Sequence, residues 1–172
     1  MSSVGFKLMS LLLKVRDLLA PRLDVLKEAG IEPGFSVLDF GCGPCGYLEP
    51  LVGLVGPSGK IYALDIHPLA IREAEKTAMS GGIENIETIQ TDCSTGLPDQ
   101  VVDIVLLYDV FHGLARPDDV LREIHRILKP GGTLSFSDHH MKEEELLTGV
   151  TGAGIFTLVR KGKKTYSFAK AD

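Results

Sequence analysis

Four aspartates stand where apolar stretches of the chain end, and they are the residues with the most obvious chemical use. Asp39 closes the first of these stretches, and Asp65, Asp92 and Asp109 mark the ends of three later ones. If the stretches are parallel strands, their carboxyl ends meet at one edge of a sheet, where ligands bind. One aspartate there would be an ordinary polar residue, whereas four predict a shared ligand site.

A glycine-rich turn follows Asp39 almost at once. Gly41, Gly43 and Gly46 have the GxGxxG spacing of nucleotide-binding turns, in which glycine permits a tight bend and lets the backbone approach a ligand closely. Asp65 comes 19 residues after Gly46, the separation at which an acid accepts the two hydroxyls of a ribose. The turn and Asp65 together predict a nucleotide-type ligand.

Two cysteines inside this turn raise an alternative. Cys42 and Cys45 form a CxxC pair at a strand-to-helix turn, which is typical of redox centres because the helix start lowers the pKa of the first thiol. The pair lies between the glycines, however, and the aspartates downstream have no use in thiol exchange. Cys93 adds a third thiol at a different strand end and without paired spacing, so we predict no metal site.

Strands and helices alternate along the chain, which predicts an α/β domain with right-handed crossovers. The predicted strands cover 36–40, 60–65, 86–91, 101–108 and 133–137, and an antiparallel hairpin covers 155–169. An amphipathic helix over Phe6–Leu19 either packs on the domain or forms a lid or membrane-surface element that touches an apolar substrate. We expect a single domain over residues 1–172, with N-terminal helices in 1–30 and the core in 36–172.

Composition narrows the class of protein. The 172 residues carry a net charge of −5, which argues against a protein that mainly binds the nucleic-acid backbone, because such proteins are usually basic. Three cysteines without a secreted disulfide pattern indicate a reducing cytoplasm. No stretch reaches the length of a membrane-spanning helix. The sequence leaves the oligomeric state open, a homodimer included.

From Ser36 to Gly132 the chain resembles the class I S-adenosylmethionine-dependent methyltransferases, in the small-molecule branch similar to ubiquinone and menaquinone biosynthesis enzymes. The motifs that carry the resemblance are Val37-Leu38-Asp39-Phe40-Gly41-Cys42-Gly43-Pro44-Cys45-Gly46, Asp65, Asp92-Cys93, Asp103-Ile104-Val105 and Leu128-Lys129-Pro130-Gly131-Gly132. The resemblance implies a Rossmann-like fold with a seven-stranded, mostly parallel sheet of order 3-2-1-4-5-7-6. Helices would cover both faces, and a C-terminal antiparallel hairpin would close the edge.

The same resemblance implies where S-adenosylmethionine and its product S-adenosylhomocysteine would bind. Asp39 and the glycine turn would hold the methionine part, Asp65 the ribose, and Asp92–Cys93 would border the adenine. Tyr108 and Asp109 would face the reacting methyl group. The residues assigned to the cofactor are Asp39, Gly41, Cys42, Gly43, Gly46, Asp65, Ile66, Asp92, Cys93 and Tyr108.

Histidines near two strand ends are candidates for proton transfer. His112 lies on the loop after the most apolar strand, and His139 follows the next strand. An imidazole titrates near neutral pH, which suits removal of a proton from a phenol or an activated carbon acid. We take His112 as the preferred general base, with Asp109 and His139 as the other catalytic candidates. The alternative is that neither histidine acts and the acceptor is already nucleophilic.

The hypothesis is therefore methyl transfer to a small-molecule acceptor, such as an apolar or aromatic quinone precursor. A nicotinamide-dependent oxidoreductase is a second hypothesis, since the same turn and Asp65 would serve it. Asp39 inside the first strand and Asp92 after the third favour the methyltransferase. A cofactor-binding protein without catalysis is a third hypothesis, which a turnover assay separates from the first.

Overall fold

The computed structural model describes residues 22–171. The helices are α1 (Arg22–Glu28), α2 (Leu48–Val55), α3 (Pro68–Gly81), α4 (Pro117–Ile127) and α5 (Glu143–Thr151). The strands are β1 (Ser36–Phe40), β2 (Lys60–Asp65), β3 (Ile86–Gln90), β4 (Val102–Tyr108), β5 (Leu128–Ser137), β6 (Phe156–Lys161) and β7 (Tyr166–Lys170). The predicted helix over Phe6–Leu19 lies outside the described residues.

All seven strands form one sheet in the order β3-β2-β1-β4-β5-β7-β6. The first five strands pair in parallel, whereas β7 runs antiparallel to both β5 and β6. The predicted strand order and the C-terminal hairpin are confirmed. The order reverses beside β1, because the chain leaves β3 at one edge and re-enters at β4 on the other side of β1.

Two apolar clusters, one on each face of the sheet, make up the core. Successive residues of β4 face opposite clusters. Val105 packs in the cluster with residues of α4 and α5, and Leu106 packs in the cluster with residues of α1, α2 and α3. This alternation is what a strand buried on both faces requires. Helices on both faces, as predicted, therefore follow from a central strand with no polar face.

Strand β5 begins earlier than the predicted Thr133. Leu128 already pairs with Val102, and after an irregularity the pairing resumes between Thr133 and Ile104. Residues 129–132 form the bulge between these two pairs, and Gly131 adopts a φ of +78° there. The glycines therefore bend the strand instead of only ending the preceding helix.

Helix α1 is fastened to the hairpin by one carboxylate. Glu28 Oε2 accepts hydrogen bonds from the backbone N–H groups of Lys164 and Thr165 and from the Thr165 hydroxyl, at 3.0 to 3.1 Å. These bonds fasten the end of α1 to the turn between β6 and β7. Among residues 22–171, no helix combines the length and apolar character needed to cross a membrane.

Candidate active site

The glycine turn is held against the end of β2 by backbone hydrogen bonds. The N–H groups of Gly41 and Cys42 both donate to Leu64 O, at 2.8 and 2.9 Å. Gly41 has a φ of +82°, and a Cβ there would collide with Val110 on the loop after β4. Only glycine fits this position, and its packing on Val110 joins the turn to the loop that carries His112.

Asp39 is a buried carboxylate with an unsatisfied oxygen. It is 2% exposed, and its Oδ2 has no hydrogen-bond partner among the described residues. Burial raises the pKa of Asp39 to about 7, with the Arg22 charge opposing the rise and the Asp65 charge adding to it. An unpaired buried oxygen is costly, so this atom is suited to a cationic or hydrogen-bond-donating group of a ligand.

Asp65 ends β2 and organises the turn from the other side. Its Oδ2 accepts the Gly43 N–H at 2.9 Å and its Oδ1 accepts the His67 N–H at 2.7 Å. Each carboxylate oxygen keeps a second lone pair, so both can still accept a hydroxyl. Ile66, the next residue, is 66% exposed and offers an apolar surface beside the acid.

Asp92 and Cys93 follow β3 on the same edge of the sheet. Asp92 is exposed and forms an ion pair with Arg116, with 3.1 Å between carboxylate and guanidinium. The Cys93 N–H donates to the Thr91 hydroxyl at 3.3 Å. Burial raises the pKa of the Cys93 thiol, and the Arg116 charge only partly offsets this.

Arg22 lies over the last glycine of the turn, a contact that the sequence did not predict. Its guanidinium carbon is 4.5 Å from the centre of the Tyr47 ring, and a Cβ on Gly46 would overlap the guanidinium. The side chain is nine-tenths buried. A cation therefore lies against the same turn as the Asp39 carboxylate, so this part of the site carries both signs of charge.

The CxxC pair is buried inside the turn. The two sulfur atoms are 3.9 Å apart, and the Cys45 thiol points at the carbonyl oxygens of Gly43 and Ala70. The hydrogen bond to Cys45, followed by burial and the Asp39 and Asp65 charges, raises the pKa of Cys42. Redox thiols need a lowered pKa and access to solvent, so this environment disfavours a redox centre.

Tyr108 ends β4 with its hydroxyl turned into the sheet. The hydroxyl shares a 2.7 Å hydrogen bond with Ser135 Oγ, and the ring lies edge-on to Tyr47 at 5.4 Å between centroids. Burial raises the pKa of Tyr108, although the Ser135 hydrogen bond opposes the rise. The phenol is therefore a structural hydrogen-bonding group and is not suited to act as a base.

His112 lies in a short 3₁₀ turn, Phe111–Gly113, and contacts a carboxylate that follows β5. Its Nδ1 is 2.9 Å from Asp138 Oδ2, and its backbone N–H donates to the same oxygen at 3.0 Å. Phe111 anchors the turn, since its buried ring packs edge-on against Phe136 at 5.3 Å.

His139 forms a second histidine–carboxylate pair next to the first. Its Nδ1 is 2.5 Å from Asp109 Oδ1, and its backbone N–H donates to the same atom at 3.1 Å. The His140 ring lies between the two pairs, 3.9 Å from the His139 ring and 4.3 Å from the His112 ring. Asp109 has a φ of +56°, a left-handed conformation that aspartate tolerates better than most residues.

The structure thus brings the predicted catalytic residues together at the ends of β4 and β5, beside the glycine turn. Sequence reasoning missed Arg22, Asp138 and His140. Asp138 follows β5 as the other acids follow their strands, so the same rule applied there would have found it. No local signal marks Arg22, because its contact is with a turn far along the chain.

A cavity of about 550 Å³ lies at the opposite edge of the sheet, where the strands begin. Asp103 and Lys129 line it and pair with each other at 2.8 Å. It shares no residue with the cluster at the carboxyl edge. Within residues 22–171, no group of three or more His, Cys, Asp or Glu side chains is arranged to hold a metal ion.

Comparison with known families decides which kind of protein uses this arrangement. The family model described as a methyltransferase domain matches residues 31–170. The chain belongs to this methyltransferase family. The matched region includes the glycine turn, the four aspartates and both histidine–carboxylate pairs, so the whole site except Arg22 lies within it.

Individual relatives agree with this assignment. The demethylmenaquinone methyltransferase of Geobacillus stearothermophilus is 29% identical over 131 residues, which cover 76% of this chain and 56% of that protein. The ubiquinone biosynthesis O-methyltransferase of Pseudomonas syringae pv. tomato is 28% identical over 157 residues, covering 91% and 66%. The chain therefore spans little more than half of the first relative and two thirds of the second.

A solved structure covers nearly the whole chain. The SAM-dependent methyltransferase of Aquifex aeolicus superposes with a TM-score of 0.75 at 28% identity, covering 90% of this chain and 95% of that one. This methyltransferase therefore has a similar fold and a similar length to the present chain.

Proposed function

We propose that this methyltransferase transfers a methyl group from S-adenosylmethionine to a small-molecule acceptor. The observation that carries the proposal is the unsatisfied, buried Oδ2 of Asp39 beside a turn of glycines. An amino group held there would pair with the Asp39 carboxylate, and the cost of burying that carboxylate alone would be offset. The family match and the SAM-dependent relative from Aquifex aeolicus support the same cofactor.

The residues around the turn suit the remaining parts of this cofactor. Arg22, against Gly46, would face the carboxylate of its amino-acid part, since guanidinium binds carboxylates well. Asp65 would accept the ribose hydroxyls, and the exposed Ile66 would cover one face of the adenine. Asp92 and Cys93 would border the base. When bound, S-adenosylmethionine supplies an activated methyl group and becomes S-adenosylhomocysteine.

The chain's own part in the reaction is to position the acceptor and to take up a proton. Proximity and orientation account for most of the catalysis that a methyl transfer requires. We place the acceptor at the ends of β4 and β5, where His112 and His139 lie beside the turn. His112 is the proposed base, which removes a proton from a hydroxyl or an activated carbon as that atom becomes the nucleophile.

We propose an apolar or aromatic acceptor, such as a quinone precursor. The names of the relatives from Geobacillus stearothermophilus and Pseudomonas syringae support this class. Two imidazoles beside the turn also favour an acceptor that must lose a proton, as phenols and enols do. The free thiols of Cys42, Cys45 and Cys93 favour a reducing, cytoplasmic setting for the reaction.

Calorimetry and turnover together test this proposal. We expect micromolar binding of S-adenosylmethionine and S-adenosylhomocysteine with no comparable binding of NAD. Methylated product should form from hydroquinone or catechol acceptors supplied with labelled cofactor. Tight NAD binding without a response to S-adenosylhomocysteine would support the oxidoreductase instead. Cofactor binding with no product from any protic acceptor would support the non-catalytic alternative.

A further inference from the structure

We propose that Asp138 is a positioning residue that holds the His112 ring with its proton on Nδ1 and its lone pair on Nε2. This inference rests on the proposed function, in which His112 takes the acceptor's proton. It adds a residue that neither the motifs nor the family resemblance assigned.

The Asp138 carboxylate is fully enclosed, with a side-chain exposure of 0%. It accepts three N–H groups on two loops. Its Oδ2 takes the His112 backbone N–H at 3.0 Å, its Oδ1 takes the His140 backbone N–H at 3.1 Å, and both oxygens lie within 3.0 Å of His112 Nδ1. The carboxylate therefore fixes both the backbone and the ring of His112.

The Asp138 carboxyl is ionised in this environment. Burial alone would raise its pKa, but hydrogen bonds from the His112 backbone and ring and from the His140 backbone hold the pKa of Asp138 below its ordinary value. An ionised carboxylate has acceptor atoms only. The His112 Nδ1 beside it must therefore carry a hydrogen, and in the neutral ring this leaves the lone pair on Nε2.

This tautomer is the one that a base at this position needs. Nδ1 is occupied by Asp138, so Nε2 is the ring nitrogen available to an acceptor in the cleft, and the His112 side chain is 39% exposed. The backbone at His112 is also fixed by the preceding residue, Phe111, whose ring is buried in the apolar core. A base whose tautomer and orientation are set before the acceptor arrives loses no rate to rotation or tautomer exchange.

The neighbouring pair lacks this enclosure. The Asp109 and His139 side chains are 29% and 59% exposed, so water competes with the contact between them. Asp109 accepts the ring and the backbone N–H of His139 through the same oxygen, Oδ1, whereas Asp138 uses both oxygens to hold His112 and His140. We therefore assign the positioning role to Asp138 and treat His139 as the less constrained imidazole.

Nitrogen NMR of the 172-residue chain measures the tautomer directly. Long-range proton–nitrogen correlation spectra distinguish a protonated Nδ1 from a protonated Nε2, and comparison with His112→Gln assigns the signals. At about pH 8.5, where histidine is neutral, we expect His112 to carry its proton on Nδ1. In Asp138→Asn the amide nitrogen can donate to Nδ1, so the Nε2-protonated form should grow and kcat should fall about 10²-fold.

A matched control separates this effect from a general loss of charge. Asp103 also accepts a backbone N–H, from Ser36, and pairs with a cation, Lys129, but at the opposite edge of the sheet. Asp103→Asn should leave the His112 tautomer and kcat as in the wild type. Cofactor affinity should be unchanged in Asp138→Asn, so the loss should appear in kcat.

Three results would overturn the inference. They are a wild-type His112 protonated on Nε2, an Asp138→Asn variant with an unchanged tautomer, and a changed tautomer with wild-type kcat. The spectra need no methyl acceptor. A failure to detect methyl transfer, which would contradict the proposed function, is therefore distinct from a failure of Asp138 to hold His112.

Discussion

The guanidinium of Arg22 fills the space that a side chain on Gly46 would occupy. This contact brings the start of α1 onto the last glycine of the turn, so a residue far outside the GxGxxG pattern belongs to the candidate site. It also gives that glycine a use beyond conformational freedom: it leaves room for a cation to lie against the turn, beside the Tyr47 ring.

Gly46→Ala should weaken cofactor binding and leave the fold intact. The new methyl group would displace the end of the flexible Arg22 side chain and would not strain the backbone. Loss of a hydrogen bond to a charged group costs about 1.5–3 kcal/mol, and calorimetry with S-adenosylhomocysteine measures it. Gly53→Ala is the control, since nothing lies within 4 Å of a Cβ there. That change should stabilise α2 by roughly 0.5–1 kcal/mol with no effect on affinity.

Asp39→Asn should stabilise the ligand-free protein at alkaline pH while weakening cofactor binding. The pKa of Asp39 is raised by burial from 3.8 to about 7, so the folded state holds this proton more tightly than the unfolded state does. Ionising the buried carboxylate therefore lowers the stability of the folded protein. This cost is absent below the unfolded pKa of 3.8, grows as the pH rises from 3.8 to about 7, and is complete above about 7. The shift corresponds to ~4 kcal/mol at most.

Urea unfolding at about pH 5 and about pH 8 measures this cost. The free energy of unfolding of Asp39→Asn, relative to wild type, should be larger at the higher pH. Other groups contribute equally to both proteins and cancel in the difference. A difference that stays constant between the two pH values would mean that Asp39 is ionised with an ordinary pKa when the protein is folded.

Asp65→Asn should weaken S-adenosylhomocysteine binding by about 1.5–3 kcal/mol, the range for hydrogen bonds to a charged partner. The amide keeps the volume of the side chain but has only one accepting oxygen for the Gly43 N–H, the His67 N–H and the ribose. Asp99→Asn is a matched control: it removes an exposed carboxylate that pairs with Arg126, at 2.6 Å. Equal affinities of the Asp65 variant and wild type would remove Asp65 from the ribose site.

Most of the fold could be predicted because it follows from local patterns. Apolar stretches of strand length, separated by amphipathic helices and glycine turns, fix the alternation of elements, and the Asp39 and Asp65 positions follow from strand ends. The strand order itself came from the family resemblance. What could not be predicted are contacts between residues distant in the chain, such as Arg22 with Gly46 and Tyr108 with Ser135. These contacts depend on how helices and strands pack, and the spacing of residues along the chain does not predict that packing.

The start of β5 illustrates a different limit. Pro130, Gly131 and Gly132 disfavour regular strand by their local preferences, so the sequence predicts a strand from Thr133. Pairing of Leu128 with Val102 extends the strand across them, because the buried edge of β4 needs a partner there. Tertiary pairing outweighs local propensity, and the conflict is accommodated as a bulge.

Assigning the base to one or the other imidazole at the ends of β4 and β5 predicts a different pH dependence of kcat in the variants. Below the pKa of an essential base the base is protonated and kcat falls, so the wild-type profile should show an acidic limb. If His112 is that base, the limb should disappear in His112→Ala and persist in His139→Ala. If His139 is the base, the limb should instead disappear in His139→Ala and persist in His112→Ala.

His112→Ala should lower kcat by roughly 10²–10⁴-fold, the usual contribution of a positioned general base. Cofactor affinity should be nearly unchanged, because the hydrogen bonds of His112 go to Asp138, which lies outside the glycine turn. His139→Ala should cost less, since its partner Asp109 is partly in solvent and the pair is less constrained. Steady-state kinetics of both variants with one protic acceptor across the neutral pH range decides between them. A His112→Ala variant that keeps near-wild-type kcat and its acidic limb would exclude His112 as the base. Near-wild-type kcat in both variants would mean that neither histidine takes a proton and that the acceptor reaches the site already nucleophilic.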